Sequence, residues 1–111
     1  MQEKYPELTA LVQKLNKCHG LELDPEYVEE LYGESVVQTI AQDPEGFEEK
    51  VLWLLEKGFA ETTADICNRF GILLCQCSED FIAAFDALIQ RLGTDYADQI
   101  AEDLSILEEL M

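Results

Sequence analysis

The interval between apolar residues constrains this chain most. Phe81, Ile82, Phe85, Leu88, Ile89 and Leu92 follow the i, i+1, i+4, i+7, i+8, i+11 pattern, which lays one apolar stripe along an α-helix. Leu8, Leu11, Val12, Leu15 and Cys18 form a similar stripe near the start of the chain. No segment alternates with period two for long enough to specify a strand. The expected fold is therefore all-α.

Punctuation divides the chain into about five or six helices. Pro6 suits a first helical turn, and Gly20 suits the left-handed position after the last turn. Asp24-Pro25-Glu26 and Asp43-Pro44-Glu45 each read as an N-cap, a proline at the first helical position and an acid in the first turn. Val28, Leu31, Tyr32, Val36 and Ile40 can share the face of the second helix, unless Gly33 breaks it. Phe47, Val51, Leu54 and Leu55 form the stripe of the third, which stops at Gly58. Thr62 or Thr63 caps a fourth that buries Ile66, Phe70, Leu73, Leu74 and Cys77. Ser78 begins the fifth and Gly93 ends it. Thr94 caps a last helix lined by Tyr96, Ala97, Ile100, Leu104, Leu107 and Met111.

The connections read as short, and no linker or low-complexity stretch interrupts 1–111. A single all-α domain is expected, built as a compact bundle of short amphipathic helices. A chain of 111 residues buries about two-thirds of its unfolded surface, enough for a core without staples. At 48% hydrophobic residues it is too apolar for a disordered acidic tail.

The charge is large and uneven. The formal net charge is -17. Residues 1–20 carry +1 and the remainder -18. Between Cys18 and Glu49 there are ten acids and no Lys or Arg, and after Arg91 six acids and no Lys or Arg. Such a balance argues against direct nucleic-acid binding, which needs phosphate neutralisation. It also argues against anionic membrane surfaces. If the last helix is continuous, Asp95, Asp98, Glu102 and Glu109 fall in one sector about 60° wide. A row like that can imitate a phosphate backbone toward a basic protein, or can simply keep the chain soluble.

Three apolar residues sit off their stripes. Trp53 falls opposite Phe47, Val51 and Leu54. Ile72 falls opposite Ile66, Phe70 and Leu73, and Ile106 borders the acidic sector. Either their helices are buried on two sides, or these side chains anchor a partner.

Signatures of catalysis are missing. The one histidine, His19, falls at the end of the first helix, where it complements the helix dipole. No nucleophile elbow, phosphate loop, Rossmann glycine set, zinc-protease motif or EF-hand loop occurs. Cys67, Cys75 and Cys77 lack the paired spacing of a zinc site and read as small core residues with free thiols. With no apolar leader at the N-terminus and no long apolar run, the expected compartment is the cytoplasm.

The sequence therefore predicts a non-enzymatic, cofactor-free cytoplasmic protein that binds a basic protein, as an inhibitor, immunity protein, antitoxin or nucleic-acid mimic does. The expected contact residues are Trp53, Ile72, Asp95, Asp98, Glu102, Ile106 and Glu109. One alternative is a structural homo-oligomer, for example a homodimer covering Trp53 and Ile72. Another is a thiol or metal protein built on Cys67, Cys75 and Cys77.

Overall fold

The computed structural model describes residues 5–59 and 61–110. Met111, assigned from sequence to the last stripe, lies outside them. The fold is all-α, with no strand among the described residues. The α-helices are α1 (Pro6–His19), α2 (Pro25–Tyr32), α3 (Glu34–Ala41), α4 (Pro44–Glu56), α5 (Thr63–Arg69), α6 (Ser78–Leu92) and α7 (Tyr96–Glu102). Two 3-10 helices follow α5 and α7, at Gly71–Cys75 and Leu104–Leu110. No helix among the described residues is long and apolar enough to cross a membrane.

The first, third and fifth expected helices form undivided, and the local signals also act as read at the start of the second. Gly20 ends α1 with φ 66°, and its N–H reaches back to the Asn16 carbonyl. The Asp24 carboxylate accepts from the Glu26 and Tyr27 N–H groups at 3.1 and 3.3 Å. Asp43 accepts from the Gly46 N–H at 3.1 Å, capping α4. These bonds satisfy N–H groups that a helix start otherwise leaves orphaned.

The count of five or six is too low, because each of the other three expected helices is divided. Gly33 adopts φ 94°, ψ 169°, a conformation closed to a residue with a Cβ, and it separates α2 from α3. Past Phe70 the chain tightens to 3-10 geometry, and at its first residue Gly71 is pressed against Val28. A Cβ on Gly71 would lie 2.7 Å from one Val28 methyl. Asp103 (φ -144°, ψ 88°) ends α7, and its carboxylate accepts from the Ser105 N–H and hydroxyl.

Three residues placed on apolar stripes from the sequence, Cys18, Leu31 and Cys77, are exposed. Thr62 holds the N-cap position of α5, but neither threonine side chain caps it. Their hydroxyls instead donate to the Phe59 carbonyl, that of Thr63 at 2.7 Å. This fixes Phe59 beneath α6.

One contiguous core runs through every helix, from Leu8 in α1 to Leu107 in the final 3-10 helix. The radius of gyration of the fold, 13.3 Å, is that of a folded chain of this length. Between α4 and α6 the core is aromatic. Phe85 stacks with Phe81 at 4.7 Å and meets Trp53 and Phe59 edge-on at 5.9 and 6.2 Å. Phe59 in turn meets Tyr96 at 5.6 Å. Beneath α2, a partly open apolar void lined by Val12, Val37, Phe47 and Cys67 offers about 20 Å³. That is room for about one water and far too little for a small-molecule substrate.

Candidate protein-binding surface

The surface is built outward from α2. Two asparagines grip the loop that launches this helix. Asn16 of α1 accepts from the Leu23 N–H at 2.9 Å and donates to the Leu23 carbonyl at 3.2 Å. Asn68 of α5 accepts from the Asp24 N–H and donates to the Glu22 carbonyl, both at 2.8 Å. Each amide uses its donor and its acceptor, so the start of α2 is held from two sides.

So held, α2 buries Val28 and turns Tyr27 and Leu31 outward. They are 40% and 50% exposed, Leu31 the most exposed large apolar residue described. Beside them an open groove is lined by Tyr27, Leu31, Tyr32, Arg69, Phe70 and Glu108. Tyr32 donates its hydroxyl to the Arg69 carbonyl, tying α2 to the end of α5. Burial, with Tyr27 adding to it, raises the Tyr32 phenol above its ordinary value. Glu108 arrives from the final 3-10 helix. The groove is thus where the two basic-free stretches of the chain meet.

The acids of both stretches face water. Those between Cys18 and Glu49 are exposed except Glu29 and Glu48, which are half-buried, and all six after Arg91 are exposed. Asp95, Asp98 and Glu102 lie on or beside α7. Asp95 also accepts from the Gln99 amide at 2.9 Å. The single sector that was to include Glu109 is lost, because α7 ends at Glu102. Glu109 pairs instead with Arg91 of α6.

The expected anchors are placed unequally. Trp53 is half-buried within its own chain, with its ring edge-on to Phe81 and Phe85 and the Lys57 ammonium 5.7 Å from its centroid. Its helix is buried on two sides. Ile106 is half-buried against the core. Ile72 is 38% exposed, on the 3-10 helix that follows α5. Tyr27 and Leu31 were not singled out from the sequence, where Leu31 stands three residues from Val28 on the expected apolar face.

Lys50 was also missed. On α4 it borders charged residues in sequence, yet it is only 3% exposed. Its stem lies along the core and its ammonium donates to the Leu74 carbonyl at 2.8 Å, closing the last turn of the 3-10 helix. Burial lowers its pKa, opposed by the charges of Asp43, Cys75, Cys77 and Glu49.

The thiols do not gather. Cys67 is buried, Cys75 half-buried with its Sγ 3.7 Å from the Val36 carbonyl, and Cys77 exposed. Among the described residues no three His, Cys, Asp or Glu side chains are grouped to hold a metal ion. Desolvation pushes the Cys67 thiol from 9.0 up to about 12. The folded chain therefore keeps a proton that the unfolded chain loses above pH about 9. The stability linked to Cys67 is complete below that pH. It falls by about 1.4 kcal/mol per pH unit until the folded thiol also ionises. Cys67→Val, with the adjoining void to receive its extra methyl, is expected to remove this slope. Urea midpoints of both proteins at pH 7.5, 9, 10 and 11 check it, and parallel pH profiles would contradict it.

Comparison of the chain with protein-family models, curated proteins and solved structures finds no match. The functional reading rests on the surface alone.

Proposed function

We propose that this chain is a non-enzymatic binding protein of the cytoplasm that recognises a basic protein partner. An inhibitor, immunity protein, antitoxin or nucleic-acid mimic would act in this way. The observation that carries the reading is the meeting of two acidic, basic-free stretches around exposed Tyr27 and Leu31. Mostly exposed acidic charge on both sides of an apolar strip, of which Glu48 and Glu109 are paired with Lys14 and Arg91, suits a partner whose cations steer it in and whose apolar residues then hold it. The reading of Trp53 as an anchor gains less support, since its ring is already engaged by Phe81, Phe85 and Lys57.

The test is affinity capture on the immobilised chain at low salt, followed by a salt gradient. A basic protein is expected to bind and to elute as screening shortens toward ~0.3 M salt. Affinity for the captured protein that stays constant across a tenfold change in salt would overturn the proposal.

A further inference from the structure

We infer that the groove along α2 is the docking site for a basic amphipathic helix of the partner; the inference rests on the basic-partner reading and locates it. The groove's shape and its surroundings both bear on the occupant. Tyr27 and Leu31 lie four residues apart on one helix face, about 6 Å along its axis. Side chains at i and i+4 of a second helix have the same spacing and fit between them by ridge-into-groove packing. Phe70, buried beneath, forms part of the apolar floor. The walls are held rigid by the Tyr32 bond to Arg69 and the asparagine grip on the α2 loop, so little ordering cost falls on this side of the complex.

Charge decides what kind of helix fits. Glu26 and Glu30 flank the apolar pair on α2, and Glu108 lines the groove; all three are exposed. Among the described residues, Arg69 is the only cation lining it. A second copy of this chain would bring another -17 against the same acids, and an anionic membrane would be repelled likewise. A helix with lysines or arginines beside its apolar stripe is attracted by the rim and buries Tyr27 and Leu31.

The probe is a synthetic Leu/Lys peptide of about fifteen residues with leucines at i, i+3, i+4 and i+7. Its control is a scrambled peptide of the same composition with no apolar face. The amphipathic peptide is expected to bind about tenfold more tightly than the scrambled one, by titration calorimetry at low salt. Tyr27→Glu and Leu31→Glu are each expected to weaken it about tenfold, although each adds a negative charge. Leu52→Glu adds the same charge at an exposed apolar site on α4, outside the groove, and is expected to leave binding unchanged or stronger. Thermal melts establish that the variants fold; Tyr27→Glu places an acid in the first turn of α2, where the helix dipole favours it.

Purely electrostatic attraction would make both groove variants bind as tightly as the unaltered chain or more so. That result overturns the groove while the basic-partner reading stands. Failure of both peptides to bind, or preference for a Leu/Glu peptide, overturns both. A dimer in sedimentation that Leu31→Glu dissociates would assign the groove to a second copy and overturn the inference.

Discussion

Phe85→Ala is expected to remove about 3–5 kcal/mol of stability, a large share of the roughly 5–15 kcal/mol that holds a domain together. Phe85 is 1% exposed and is the hub of the aromatic core. It touches Trp53 from α4, Phe59 from the following turn and Phe81 one turn back on α6. Truncation leaves a cavity lined by three rings that are fixed elsewhere and collapse poorly. Phe59 is tied by the two threonine hydroxyls, and Trp53 is anchored on α4. The edge-on contacts, worth about 0.5–1.5 kcal/mol each, are lost together with the apolar area. Urea unfolding followed by Trp53 fluorescence measures both consequences. The midpoint should fall and the folded emission shift to the red as water reaches the indole. A loss under about 1 kcal/mol with unchanged emission would contradict the packing described.

Gly71→Ala is expected to destabilise the fold by about 1–3 kcal/mol, as overpacking does. Helix propensity alone gives the opposite sign, since alanine exceeds glycine by about 1 kcal/mol in a helix interior. The added Cβ would lie 2.7 and 3.0 Å from the two Val28 methyls, and Val28 is buried, β-branched and stiff at χ1. Neither side yields cheaply, because α2 is fixed by Asn16, Asn68 and Tyr32. Val28→Ala in the same chain should relieve the clash. The double variant is then less destabilised than the sum of the singles by about 1 kcal/mol or more. Additive losses, or a higher melting temperature for Gly71→Ala, would show that the contact is loose. The Leu/Lys peptide provides a second measurement, since Gly71 supports the buried face of α2. Binding should weaken in Gly71→Ala and recover in the double variant.

The sequence specified what local chemistry can specify. Apolar spacing of three and four makes the fold all-α, because no other period buries Phe81, Phe85 and Leu88 on one side. Asp24, Asp43, Pro6, Pro25, Pro44, Gly20 and Gly93 start and stop helices through bonds and dihedrals within a few residues of themselves. The uneven distribution of charge is likewise a property of the chain alone.

Contacts between distant segments decided the rest. Gly71 has no room for a Cβ because Val28 sits against it from more than forty residues away. Lys50 is buried because the Leu74 carbonyl meets its ammonium, so a residue that pattern places among charges ends inside. Trp53 looked unpartnered along α4 because its partners, Phe81 and Phe85, lie on α6. The groove has the same origin. Its walls come from α2, the end of α5 and the final 3-10 helix, and only their packing brings Glu108 beside Tyr27 and Leu31. Periodicity and capping are set by neighbours in sequence, and so they can be read from sequence. Which faces are covered and where two acidic stretches converge depend on long-range packing, which only the tertiary structure decides.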